Sequence, residues 1–300
     1  MAEDTVHIPS FLKRSPEARQ PFAPRQETYP QPPETPLPPQ VNAIQVHTLS
    51  QMTVGGSWQL EQLHLRDHHL FLWITRGQGR ILLHGLRRGF GAHNAIFVPA
   101  GKLFAMEYGR QVQGQALLIP DDGRVILPDR THQLRVQDGL AQAELTGLFD
   151  DLRRELTEAR PLLAEAMTAL ASMVSIWLRR QMLSAGAQPR TSAAERIVRR
   201  FSDLLSDDFR SGKSMATYAE ELEITPTHLT RVCRQCAGLT AADMLNQMVQ
   251  HEARVLLTRS DLPVQDIADY LGFGSAAYFS RFSQQHFGAS PTQLRKSSNR

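Results

Sequence analysis

The sequence predicts an α+β molecule in which a β-barrel is followed by two helices. An all-α C-terminal domain then carries two helix-turn-helix units joined by a long helix. Three observations predict it. Short apolar runs separated by glycine turns fill residues 41–138. The apolar spacing changes to a helical one near residue 140, and after residue 192 a short helix, a turn and a capped helix occur twice.

In the first half, Trp58–Leu65, His69–Thr75, Arg80–His84, Ala95–Val98 and Ala116–Ile119 read as strands. Gly77-Gln78-Gly79, Gly85, Gly101 and Asp121-Asp122-Gly123 lie between them as turns. Many short strands at such spacing give a sandwich or a small barrel. Ten of the 18 prolines precede residue 41, so residues 1–40 read as a disordered or extended tail that cannot bury an apolar face.

Beyond residue 138, Leu145, Leu148, Phe149, Leu152 and Leu156 recur at helical spacing. A second helix after Pro161 carries Met167, Leu170, Val174 and Trp177. These helices either cover the sheet or pair two chains, and residues 139–183 are assigned to dimerisation. Residues 184–191, small and ending in Pro189-Arg190-Thr191, read as a linker.

In residues 192–296, Thr225-Pro226 is a helix start: a capping hydroxyl and a proline at the first helical position. The helix it opens places Leu229, Val232, Cys233 and Cys236 inward, and Thr227, Thr230, Arg231 and Arg234 outward. In the second copy, Gly272 suits a left-handed cap with Phe273 folding back as its apolar contact, and Ser275 caps the next helix. That helix turns Ala276, Ala277, Ser280, Arg281 and Gln284 outward. A helix of about residues 241–258, capped by Thr240 with Asp243, connects the units. At ~27 Å it sets two recognition helices near one DNA turn apart.

The segment Gly272-Phe273-Gly274-Ser275 through Tyr278-Phe279-Ser280-Arg281 to Phe287-Gly288-Ala289-Ser290-Pro291 resembles the second helix-turn-helix of AraC/XylS-family regulators. His228-Leu229-Thr230-Arg231, Gly238-Leu239-Thr240 and Asp266-Ile267-Ala268 are similar to the remaining family motifs. The resemblance covers residues 192–296. It implies sequence-specific binding of double-stranded DNA, with Thr227, Thr230, Arg231, Ala276, Ala277, Ser280 and Arg281 at the bases. RNA polymerase would be a further partner, in a cytoplasmic homodimeric activator. Two departures stand out: Ser283 occupies a position where the family has an aromatic, and Cys233 does so in the first unit.

Residues 64–119, with Phe97-Val98-Pro99-Ala100-Gly101, resemble cupin-like effector domains. Phe104 stands where metal-binding cupins place a histidine, and no glutamate follows His64, His68 and His69 at the required spacing. The expectation is therefore no metal, no cofactor and no enzymatic activity, with a small organic effector lined by Trp58, His64, His68, Trp73, Arg80 and His84. The alternative readings are a cupin-type small-molecule enzyme fused to a DNA-binding domain, or a β domain that only pairs chains.

Bulk properties decide less. The net charge of the whole chain is +3, and residues 189–300 hold 14 Lys and Arg against 12 Asp and Glu, a balance of +2. DNA affinity must then come from charge arrangement rather than total. The longest apolar stretch, near 166–178, is interrupted by Thr168, Ser172 and Ser175 and is short of the ~20 residues of a membrane span. Glu3 and Asp4 with no apolar core rule against a signal peptide. Cys233-Arg234-Gln235-Cys236 lacks the companion ligands of a zinc site and the βαβ setting of a redox motif, so both thiols read as reduced packing residues. Ser211-Gly212-Lys213-Ser214 lacks the preceding glycine and strand of a phosphate loop.

Overall fold

The computed structural model describes residues 43–109, 111–184 and 191–298. The proline-rich tail and the centre of the expected linker lie outside them. Eight strands, β1 (Gln45–Thr48), β2 (His68–Arg76), β3 (Gly79–Leu83), β4 (Leu86–Phe90), β5 (Asn94–Val98), β6 (Phe104–Tyr108), β7 (Gln113–Pro120) and β8 (His132–Arg135), form two antiparallel sheets. One runs β1-β7-β2-β5-β8 and the other β4-β3-β6. The expected closed barrel is therefore corrected to two facing sheets within an α+β chain. Edge strands β4 and β8 share no ladder; instead Gln133 Nε2 donates to Gly89 O at 2.7 Å across the seam.

Each sheet is apolar on both faces. Leu70, Leu72, Ile74, Ile96, Val98 and Leu118 point inward to meet Ile81, Leu83, Phe104 and Met106, filling the space between the sheets. The alternate residues Phe71, Trp73, Phe97 and Leu117 face outward and pack beneath α2 (Gly139–Glu158) and α3 (Leu163–Ser184). This double burial is why Leu70–Ile74 reads as a continuous apolar run. Residues 58–61, expected as a strand, instead form a short helix α1 (Trp58–Glu61). Leu60 and Leu63, three apart and both buried, fit a helical turn as well as a strand.

The C-terminal half consists of α4 (Ala193–Asp208), α5 (Met215–Glu221), α6 (Pro226–Ala237), α7 (Ala241–Arg259), α8 (Val264–Tyr270), α9 (Ala276–Phe287) and α10 (Pro291–Ser298). Capping boxes start α4 (Ser192 with Glu195) and α7 (Thr240 with Asp243). The outer face of the three-stranded sheet continues this helical core. Leu63, Leu82, Leu103 and Ala105 belong to the same buried cluster as Phe201, Leu229, Met244 and Phe279. The β3–β4 hairpin drives its tip against α4. His84 and Gly85 both take positive φ, as a two-residue hairpin turn requires, and a Cβ on Gly85 would lie 2.4 Å from Ser202 Oγ.

Candidate nucleic-acid interface

Two helix-turn-helix units share one construction. In the second, the Gly272 N–H bonds Asp269 O and the Phe273 N–H bonds Ala268 O, a Schellman turn with Gly272 at φ +76°. Phe273 folds back on Phe279 and Phe282, with ring centroids 5.2 and 5.0 Å away. The first unit has the same pair of bonds, Glu223 N to Glu220 O and Ile224 N to Ala219 O. There the left-handed position is held by Glu223 at φ +58°. Thr225 Oγ1 then caps α6 by accepting from His228 N, and Ser275 Oγ caps α9 by accepting from Tyr278 N, each at 3.2 Å. Both helices end on left-handed glycines, Gly238 and Gly288.

Amphipathic spacing fixes which residues each helix presents. On α6, Leu229, Val232 and Cys233 are buried, while Thr227, Arg231 and Arg234 are exposed and Thr230 is half-buried. On α9, Phe279 and Phe282 are buried, with Ala277, Arg281 and Gln284 exposed and Ala276 and Ser280 half-buried. Each outer face thus brings together its own sequence-expected set. The Arg281 guanidinium stacks over the Tyr278 ring at 5.2 Å, and Arg231 Nη2 lies 3.4 Å from His228 Nδ1. Gln284 Nε2 donates to Gly288 O at 3.2 Å. These side chains are exposed and locally braced, the condition for reaching base edges or phosphates at little entropic cost.

The family departures are absorbed by local chemistry. Ser283 is fully buried and its hydroxyl donates to Ala289 O at 2.8 Å, tying α9 to the turn before α10. Cys233 lies in the core, where burial pushes its thiol up to about 12, away from thiolate chemistry.

Arg210 is a residue that sequence alone does not single out. It stacks on Phe209 and Tyr270 at 4.3 and 4.8 Å and donates to Glu252 at 2.9 Å, clamping the end of α4 to α7 and α8. Only the three-dimensional meeting of residues 210, 252 and 270 marks it; a lone arginine before Ser211-Gly212 carries no local signal.

The six expected effector residues do not converge. Trp73 sits under α2, its indole donating to Thr146 Oγ1 at 3.1 Å. His68 is buried against Asp67, and His84 Nε2 lies 2.9 Å from Asp203 Oδ1 on α4. Arg80 lines a small recess of about 150 Å³ beside Gly238. Trp58 and His64 do meet, on the far side of His251 of α7: its ring stacks on His64 at 4.3 Å and tilts against Trp58 at 5.3 Å. They therefore act as docking residues between the two halves. Among the described residues no three His, Cys, Asp or Glu side chains are grouped as a metal set, and no helix is long and apolar enough to cross a membrane.

Residues 218–297 match the model of a helix-turn-helix domain. This segment is a helix-turn-helix domain. Among curated relatives, the chain is similar to the transcriptional activator RhaS of Enterobacter sp. (strain 638), at 30% identity over 142 residues, 47% of this chain and 49% of RhaS. RhaS of Salmonella arizonae is 31% identical over 121 residues, 40% of this chain and 42% of that protein. The chain thus spans about half the length of the curated relatives it matches. Among solved structures, the C-terminal domain of AraT, a response regulator from Geobacillus stearothermophilus, is 29% identical, with TM-score 0.33, over 35% of this chain and 88% of that domain. ToxT from Vibrio cholerae, solved with an unsaturated fatty acid, is 12% identical with TM-score 0.40, over 84% of this chain and 94% of that one.

Proposed function

We propose that the protein is a sequence-specific DNA-binding transcriptional regulator whose two reading helices, α6 and α9, enter successive major-groove segments. The observation that carries this reading is the duplicated unit with matched Schellman turns, matched hydroxyl caps and an exposed arginine at the same place on each helix. α7, 19 residues long and so about 28 Å, is the rod between them. RNA polymerase contact and a small-molecule effector complete the reading. The test uses the full chain, its preferred site selected from random duplexes, and titrations at several salt concentrations. Arg281→Ala and Arg231→Ala are each expected to weaken the selected site by about 1–3 kcal/mol and relax its specificity. Equal binding to all duplexes, unchanged by both substitutions, sinks the reading.

A specific surface supports a dimer. On α3, Ala169, Met173, Ile176, Arg180 and Leu183 are all exposed and follow one another at alternating steps of four and three, the spacing of a two-stranded seam. Met173 and Ile176 are 42% and 37% exposed, unusual for a paired-helix layer otherwise well buried. Glu165 near one end of the helix and Arg179 near the other are complementary when a second copy packs antiparallel. The partner we assign to this face is another copy of this chain.

A further inference from the structure

A sizeable cleft opens elsewhere than between the sheets, which are filled. It lies outside their open seam, where β4 and β8 fail to join, and its opposite wall is α4 and the C-terminal end of α6. Its volume is about 850 Å³, within the range of small-molecule sites. Four arginines from three elements line it: Arg87 and Arg88 of β4, Arg135 of β8 and Arg199 of α4.

Among the described residues none of the four has a carboxylate partner within ion-pair distance, whereas His84 and Lys102 pair with Asp203, Arg210 with Glu252 and Lys213 with Asp208. Arg199 also has its Nε buried without a hydrogen-bond partner. The one acidic side chain lining the cleft, Glu195, is already engaged: its Oε2 accepts from Ser192 N at 2.8 Å in the α4 capping box. Four arginines and a single carboxylate line the cleft, so its wall carries an excess of positive charge.

We propose that this seam cleft binds a small organic or inorganic anion carrying at least two negative charges, held by Arg87, Arg88, Arg135 and Arg199. Planar guanidinium forks suit carboxylate and phosphate oxygens equally, so these are the shared ligand chemistry. The bound anion would bridge the edges of both sheets to α4 and α6. It therefore contacts the first reading helix directly, through the Gln235 and Cys236 end that faces away from its Thr225 cap. For a regulator this is a place where ligand and DNA affinities become linked. That consequence rests on the function proposed above; the binding itself does not.

The test is calorimetric titration of the full chain without DNA, at low salt, using citrate and inorganic pyrophosphate as probes and mannitol as a neutral control. The expected result is saturable one-site binding of at least one anion and none of mannitol. Arg135→Gln and Arg199→Gln should each weaken that binding about tenfold, the worth of one charge-assisted contact. Arg88→Gln, an exposed strand position that leaves the core untouched, should do the same. Arg153→Gln, whose side chain pairs with Asp150 on α2, should leave binding unchanged. Absence of saturation by either anion, or undiminished binding in all three cleft variants, overturns the proposal. So does a loss of anion-free DNA affinity in Arg135→Gln with anion binding unaltered, which would make these arginines phosphate contacts to the duplex. Because the DNA titration above contains no anion and this one contains no DNA, either reading can fail alone.

Discussion

Glu223 and Gly272 occupy the same left-handed corner of their respective units, yet only one is glycine. An L side chain in that region costs about 1–2 kcal/mol, so Glu223→Gly should stabilise the chain by about 0.5–1 kcal/mol after the entropy glycine adds to the unfolded state. Gly272→Ala should do the reverse and more strongly. Its Cβ would lie 2.5 Å from Arg210 O and 2.8 Å from Gly212 N, backbone atoms that cannot swing aside. A loss of about 2–4 kcal/mol is expected. Urea denaturation midpoints check both, and a neutral Gly272→Ala would refute the packed corner. At this scale the sequence is readable wherever chemistry is local. Thr225, Ser275, Gly272 and the outward arginines announce themselves by spacing to their neighbours. Arg210 and Ser283 do not, because their partners, Glu252, Tyr270 and Ala289, are recognised only after the chain has folded.

Helices proved easier to place than strands, for a physical reason. The amphipathic period of α4, α6, α7 and α9 survives because each keeps one solvated face, so 3.6-residue spacing is visible. Strands β2, β5 and β7 are covered on both faces and lose their alternation, while β4 and β8 are short and polar enough to resemble turns. The strands the sequence does not announce, β1, β4, β6 and β8, are the four sheet edges, and β4 and β8 flank the seam that replaces barrel closure. Helix α3 gives the prediction proper to this scale. Ile176→Glu and Met173→Glu place charges on an exposed seam and leave the buried face of Val174, Trp177 and Leu178 intact. Sedimentation should show the wild-type chain as a dimer and each variant shifted toward monomer. Circular dichroism should be unchanged. Identical sedimentation of all three proteins would remove α3 as the pairing surface.

For the whole molecule, the decisive contact is the docking of the β half on α4, α6 and α7. At its centre the His64 and His251 rings stack in a buried site, with Leu63 N donating to Gln247 and Gln62 to Gln250 beside them. Burial pushes the His251 imidazole down to about 3, reinforced by Arg66, Arg259 and Arg254; burial, then His251 and Arg66, hold His64 well below its ordinary value as well. Folded-state values below the unfolded one mean that this stability is fully present above about pH 6.5 and is lost as pH falls toward 3. The loss from His251 alone is on the order of 3 kcal/mol by pH 4. His251→Phe, which keeps a ring on His64 and Trp58, should flatten this acid-side slope in thermal unfolding; an unchanged slope would show that the pair does not titrate with docking. The Arg254 guanidinium, stacked between Trp58 of α1 and Phe287 of α9 at 5.1 and 4.8 Å, carries the same contact to the second reading helix. The β half and the helix-turn-helix half are thus not interchangeable cassettes. A chimera that kept residues 192–298 and exchanged the β half would inherit a bare apolar patch shaped for Leu82 and Ala105 and an α4 surface moulded to Gly85. Exchanging either half would therefore require rewriting both sides of this junction together, so the fit of the two halves, rather than the outer faces of α6 and α9, sets what can be joined to residues 192–298.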